Sequence, residues 1–248
     1  MSTQLAGGAG WLPRMRARTT MTDMVMVYRR PAGVMRQSVK PQRASGERAG
    51  HPSQVKLGRF LAHVDAIAGP VLATVRGRVV VELIVGFSEG VSLLDGGHDL
   101  GSYLFPVAVR LGPQRVAALF GRKIHGPSSL ALGPAQPGTA AAPAQFAARM
   151  TGSSERRQWK QAFHDRLAAQ AAPLAPGPAG LTIALTTGPD RNWVRLCQPL
   201  IDAFAPVLGD PTRPFHPHDD RIVSLGLHHT IDTGIAHDVI INAWWTTL

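Results

Sequence analysis

One cysteine, Cys197, is present in the 248-residue chain, which excludes a disulfide framework and any paired-cysteine zinc site. No apolar run approaches the ~18 residues a membrane-spanning helix needs. The first residues, MSTQLAGGAGWLPRMRAR, lack the apolar core of a secretory signal, so the expected location is cytoplasmic, with no membrane partner. Aromatic residues make up only 6% of the chain, which speaks against a row of stacking platforms. No glycine-rich dinucleotide fingerprint, phosphate loop, HExxH pair or nucleophile elbow occurs.

The chain does hold enough apolar residue, 44%, for a substantial core, and a formal charge of +10. That charge is uneven. Residues 1–50 carry nine Lys/Arg against two acids, whereas the other residues carry seventeen against fourteen. Residues 1–54, rich in Arg, Gly, Ser and Pro, are expected to form a disordered basic arm able to touch phosphate without specificity. Met15 and Met21 are further candidate starts, and Met24–Tyr28 is a short strand candidate within the arm.

From Val55 a pattern emerges. Phe60, Leu61, Val64, Ile67 and Ala68 share one helical face, which Gly69-Pro70 is expected to end. Val79–Val85 reads as a buried strand interrupted by Glu82. A loop and a helix around Pro106 follow, then strands at Val116–Ile124 and Ser129–Leu132. Residues 133–152 are rich in Ala, Pro and Gly, and 136–152 reads as a linker. The order then returns. Ser153 or Ser154 can cap a helix with Glu155 in its first turn, and Trp159, Phe163 and Leu167 recur every four residues. Leu181–Thr187 is a strand, Asn192–Phe204 a helix around Pro199 that Pro206 ends, and Arg221–Leu227 and Asp238–Trp245 are strands.

The repetition of helix, strand, loop, proline-containing helix, strand, strand suggests a tandem duplication, with Pro106 answering Pro199 and Arg115 answering Arg221. Such a chain would form a pseudo-dimer by itself, and so a monomer. In the second copy the order includes Asn192-Trp193-Val194-Arg195-Leu196-Cys197-Gln198-Pro199-Leu200-Ile201-Asp202-Ala203-Phe204 and then Asp219-Asp220 before a strand. This resembles the RusA-like family of Holliday junction resolvases. The family's motif has two carboxylates where Asn192 and Val194 stand, and a lysine where Gln198 stands. The first copy, His98-Asp99-Leu100-Gly101-Ser102-Tyr103-Leu104-Phe105-Pro106, keeps Asp99 at the first carboxylate position. The resemblance implies an α+β fold of two RusA-like repeats, at 55–135 and 153–248, each a small mixed or antiparallel sheet with two helices.

It also implies a magnesium-dependent endonuclease of branched DNA whose aspartates hold the ion. The candidate catalytic residues are then Asp219, Asp220, Asp190, Asn192 and Asp99, with Asp219 and Asp220 as metal ligands. Asp202 lies too far along its helix from Asn192 to replace a missing ligand there. Because the carboxylate set is broken, the expected function is nucleic-acid binding, to branched or duplex DNA, with an eroded magnesium site. Retained endonuclease activity and a non-catalytic partner-binding module are the alternatives. Arg122, Lys123, His125, Arg195, His228 and His229 are the candidate phosphate contacts; strand alternation sends His228 and His229 to opposite faces and leaves one of them exposed. A rival reading makes His216-Pro217-His218-Asp219-Asp220 a transition-metal loop, against a simple turn before the strand.

Overall fold

A computed structural model describes residues 25–33, the backbone of 35–36, and residues 39–154, 156–209 and 215–248. The fold is mixed α+β. Its frame is an eight-stranded sheet of mixed orientation built from β2 (Met35–Arg36), β3 (Val79–Phe87), β4 (Val116–His125), β5 (Ser129–Pro134), β7 (Phe146–Met150), β8 (Ala179–Thr187), β9 (Ile222–Ile231) and β10 (Val239–Thr247). Across the sheet the order is β2-β5-β3-β4-β9-β8-β10-β7. A two-stranded ribbon joins β1 (Val27–Tyr28) to β6 (Pro137–Gly138).

The halves of this sheet are wired alike. β3 runs parallel to β4 and antiparallel to β5, and β8 runs parallel to β9 and antiparallel to β10. Each parallel pair has a register irregularity at its first residue, Val79 in one half and Ala179 in the other. Between the halves, β4 and β9 pair antiparallel with Phe120 opposite Gly226. The arginine before each central strand does the same work. Arg115 donates to the carbonyls of Leu72 and Val75, and Arg221 to those of Ala175, Gly177 and Leu208. In both halves the chain leaving the central strand crosses the end of its neighbour. A Cβ on Gly86 would stand 2.1 Å from the Gly126 carbonyl oxygen, and one on Gly188 2.2 Å from that of Ala236. Only glycine permits either crossing.

Five helices lie among the described residues: α1 (Pro52–Thr74), α2 (Leu100–Leu111), α3 (Arg157–Gln170), α4 (Val194–Asp202) and α5 (Ala205–Leu208). All five contribute to one apolar core with the same sheet face, through Phe60, Leu104, Phe163, Leu200 and Leu208 among others. Period-2 alternation in β3 explains the side choice: Val81, Leu83 and Val85 enter that core, while Val80 joins Ala118, Phe120 and Tyr28 on the other face. No helix among the described residues is long and apolar enough to cross a membrane.

Several expectations change. Residues 1–24 of the supposed arm lie outside the described residues, but 25–54 are not a free arm. Val27 and Pro41 are buried, Arg30 pairs with Glu82, and the Ala44 N–H donates to the Ser102 carbonyl at 2.7 Å. That last bond has a local cause. Pro106 has no N–H to return to Ser102 four residues back, so the segment read as an arm supplies one. Pro70 does not end α1; the carbonyl it leaves unpaired belongs to exposed Ala66, which solvent can satisfy. The 136–152 linker instead forms β6 and β7, and β7 closes the sheet edge with Phe146 buried. α3 starts at Arg157 with no side-chain cap, and Glu155 lies outside the described residues. The helix around Pro199 stops at Asp202, before Pro206, which opens α5 instead.

Candidate functional site

Parallel pairing sends the C-terminal ends of β3 and β4 to one edge of the molecule, and the antiparallel β4–β9 pairing brings the start of β9 there as well. The consequence is a composite site. Asp99, at the start of α2 in the first half, meets Asp219 and Asp220, which lead into β9 in the second. Lys123, near the end of β4, lies among them. The Lys123 ammonium donates to the carbonyls of Leu93 and Asp220, at 2.8 and 2.5 Å, and is almost fully buried. Burial pulls its pKa down to about 8, against the opposing pull of Asp220, Asp99 and Asp219. The Asp219 carboxyl moves the other way. Burial first, then the charges of Asp99, Asp220 and Asp202, push it up to about 6.

Asp99 has a structural task in the same place. It caps α2, its two oxygens accepting the Ser102 N–H at 2.7 Å and the Ser102 hydroxyl at 2.6 Å. Asp202 is held by Lys160 at 3.0 Å and by the Gln198 amide at 2.8 Å. The Gln198 oxygen in turn approaches Gly101 in the first turn of α2. So Asp202 and Gln198 belong to the Asp219 neighbourhood, not to that of Asn192. Beside them, His98 shares a 3.1 Å hydrogen bond with the Tyr103 hydroxyl. Burial, then the charges of Arg43, Lys123 and Lys40, keep the His98 imidazole less basic than usual.

Asp190 and Asn192 are elsewhere. They follow the C-terminal end of β8, which runs parallel to the ten-residue β9, so they stand roughly 30 Å from Asp219 and Asp220 at about 3.3 Å per residue. There they line a cleft of about 760 Å³ with Arg191, Arg195 and His237. Arg191 anchors one wall by donating to the carbonyls of His237 and Gly152, at 2.6 and 2.9 Å, and Arg195 is exposed. In fold order, Asn192 occupies the place of Asp99, and Pro113-Gln114 the place of Asp219-Asp220. Gln114 spends its amide on the carbonyls of Pro189 and Arg191.

The other expected phosphate contacts divide. Arg122 lies on the sheet face away from the helices, bonded at 2.9 Å to a nearly buried Glu82 that also takes Arg30. His125 is at the acidic edge, 3.0 Å from the Val91 carbonyl. His228 and His229 do alternate, but neither is exposed, because β9 is covered on both faces. His229 stacks on Trp193 with centroids 5.1 Å apart. The Thr187 hydroxyl donates to the Gly188 carbonyl and so accepts from His229 Nε2–H at 2.9 Å, which leaves His229 Nδ1 to accept from Arg78 at 2.7 Å. Accepting from Arg78 at Nδ1 requires a neutral ring, and burial next to Arg78 lowers its pKa to about 3. His228 accepts the Tyr28 N–H at Nδ1, and burial, then Arg30, lowers its pKa to about 4. These two histidines are held by the fold and neither lies on the open surface as a phosphate contact would. His216 and His218 are exposed, and Asp219–Arg221 form a single 3-10 turn before β9, as the simple-turn reading expects.

Magnesium fits this edge only in part. Among the described residues no side chain donates to the carboxylates of Asp219 or Asp220, although a backbone N–H bonds Asp219. Asp99, however, spends both oxygens on Ser102. Among the described residues no three His, Cys, Asp or Glu side chains gather closely enough to hold an ion. The donor set is therefore not a formed magnesium site. Comparison with protein-family models, curated proteins and solved structures finds no match.

The sequence did not reveal Lys123, Gln198 and Asp202 as members of one acidic neighbourhood. The usable signal was slight: a lysine two residues before the end of a strand.

Proposed function

We propose that the chain is a nucleic-acid-binding protein of RusA-like descent, a tandem duplication folded as a pseudo-dimer, with a magnesium site that has eroded. One observation supports this most strongly. Equivalent positions of two identically wired halves meet crosswise, giving Asp99 with Asp219-Asp220 at one edge and Asn192 with Pro113-Gln114 at the other. A dimer of resolvase folds would build two such sites, and here the acids persist at only one. At the second edge the exposed Arg195, beside Arg191, gives the cleft a charge suited to phosphate.

Binding of a labelled four-way junction and of a matching duplex, measured by anisotropy across a salt series, tests this. Affinity should fall steeply with salt. Replacing Arg191 and Arg195 together by Ala should lower the slope of log K against log salt by about 2, since each phosphate contact contributes ~0.9. The chain should still bind without residues 1–24. Salt-insensitive binding, or binding that vanishes with residues 1–24, overturns the reading.

A second reading, an active magnesium-dependent endonuclease, is favoured by the Asp219 carboxyl standing near 6, because a cation would relieve the repulsion from Asp99, Asp220 and Asp202. Junction cleavage in magnesium, abolished when Asp219→Asn is combined with Asp220→Asn, would select it. Intact junction at every magnesium concentration would remove it.

A further inference from the structure

The sheet face away from the helices carries a cavity of about 370 Å³ where the two halves meet. It is lined by the rings of Tyr28, Phe120 and Trp244, with Arg30, Thr182 and His228 supplying polar atoms. The β1–β6 ribbon forms its rim, through Tyr28 on one side and Thr139, just after β6, on the other. The acidic edge and the arginine cleft contribute no residue to it.

Three features make this a built site. The first is a fixed donor. Because the Tyr28 N–H occupies His228 Nδ1 at 3.0 Å, the neutral ring carries its proton on Nε2. Among the described residues that N–H meets no acceptor, although His228 is only 3% exposed and lines the cavity. The atom is not among the fully buried groups left without a partner, so it opens on the cavity and can donate to a ligand there.

The second is a space kept open by glycine. A Cβ on Gly226 would stand 3.3 Å from Thr182 Oγ1 and 3.5 Å from His228 Nε2, so the missing side chain is the floor between the two polar atoms. Phe120, the residue paired with Gly226 across the β4–β9 junction, places a large ring at the corresponding position of the other half. One half supplies an aromatic wall and the other a gap.

The third is rigidity. The Trp244 Nε1–H donates to the Ala142 carbonyl at 2.9 Å. Arg30 lies 4.6 Å over the Phe120 ring and is held by Glu82. The Phe120 and His228 rings meet edge to face at 5.2 Å. These side chains are in place before any ligand arrives.

Flat aromatic walls, a guanidinium over one of them, a single N–H donor and a hydroxyl together suit a planar ring with carbonyl acceptors on its edge. We propose that this cavity binds a nucleobase, carried either by a free nucleoside or by a single strand. The ring stacks among Tyr28, Phe120 and Trp244, and its carbonyl accepts from His228 Nε2–H. The assignment does not depend on the acids or arginines of the two edges, so it stands or falls separately from the function proposed above.

The test uses the full chain, with uridine and a single-stranded oligouridylate as probes. Tryptophan fluorescence follows both titrations up to millimolar uridine. Gly226→Val is the deciding variant. Its backbone conformation accepts a side chain, valine suits a strand, and the added methyl groups occupy the floor. Saturable quenching of the wild type that weakens about tenfold or more in Gly226→Val, as loss of one stacked base would produce, supports the site. Binding of uridine identifies a nucleoside site, and binding of the oligonucleotide alone identifies a strand site. Wild-type binding that Gly226→Val leaves unchanged, or no binding of either probe, overturns the proposal. If Gly226→Val fails to fold, the wild-type His228 Nε2 proton resonance decides. A shift on saturation supports the assignment, and an unmoved resonance rejects it.

Discussion

At one end of the β4–β9 pair, Lys123 lies buried among Asp99, Asp219 and Asp220; at the other, Arg78 lies against His229 beneath Trp193. The positions correspond in the order of the fold, yet the chemistry is opposite. The acidic end concentrates like charge and leaves two carboxylates without a side-chain donor among the described residues. The Trp193 end pairs the polar atoms of Arg78, His229 and Trp193. Arg78 donates to the carbonyls of Gln114, His229 and Val116 as well as to the His229 ring, and Trp193 Nε1–H donates to the Pro113 carbonyl at 2.7 Å. One end is core, while the other holds carboxyls whose mutual repulsion a ligand or a proton would relieve.

The largest expected effect is acid sensitivity centred on His229 and its neighbour His228. Folded, their pKa values are about 3 and about 4, whereas the unfolded chain protonates its imidazoles near 6.5. A lowered base contributes stability that is present above the unfolded value and lost as pH falls below it. Between pH 7 and pH 4.5 the pair should cost about 5 kcal/mol of folding stability, measured by urea unfolding at both pH values. By NMR, His229 should remain almost wholly neutral down to pH 4.5, and His228 should be only about one-quarter protonated there. Ordinary titration of both would break the contrast between the ends.

Next comes Trp193→Ala. The side chain is fully buried, so its loss should cost about 4 kcal/mol and free His229 to protonate at higher pH. Trp193→Phe keeps the stack and loses only the bond to Pro113, at about 1–2 kcal/mol. Thermal unfolding of the two variants separates packing from hydrogen bonding. Equal costs would mean that the stack on His229 contributes little.

Which end is core was not legible in the sequence. The elements mostly were: Trp159, Phe163 and Leu167 do face inward, and the strands near Leu181, Arg221 and Asp238 fall within a few residues of their expected limits. Those signals are local, carried by side-chain periodicity. The site is not local. Asp99 meets Asp219 only because β4 and β9 pair antiparallel, and no spacing in the chain encodes that pairing. His228 misled for a related reason. Alternation correctly placed it opposite His229, but Tyr28, from the segment read as a free arm, covers it. Pro70 shows the converse error, a breaker tolerated because its unpaired carbonyl belongs to a solvent-facing residue.

At the acidic end the effects are smaller. Asp99→Ala removes both bonds to Ser102 and should cost about 1 kcal/mol, the usual loss of a helix cap. Asp99→Asn keeps an acceptor for the Ser102 N–H and should cost less. Both remove a negative charge beside Asp219, so the Asp219 carboxyl should titrate below its present value of about 6 in either variant. Carboxyl NMR measures that shift. An unchanged Asp219 would mean that burial alone sets it and that Asp99 takes no part in the site.

Asp219→Asn carries the comparison furthest, because it should stabilise. A carboxyl raised from 3.8 to about 6 by folding favours its neutral form in the folded state. Its contribution is fully present below pH 3.8 and is lost as pH rises through 6, so at pH 7 the ionised group works against the fold. The side chain is partly open to solvent, which screens the penalty, leaving about 1 kcal/mol to be recovered by the neutral amide at pH 7. At pH 4 or below, where the wild-type carboxyl is already protonated in the fold, the gain should disappear. Urea unfolding of both chains at the two pH values reads this directly. A gain of equal size at both would trace to packing. A loss at pH 7 would mean that the folded chain uses the Asp219 charge, and the acidic end would then be as well satisfied as the end beneath Trp193.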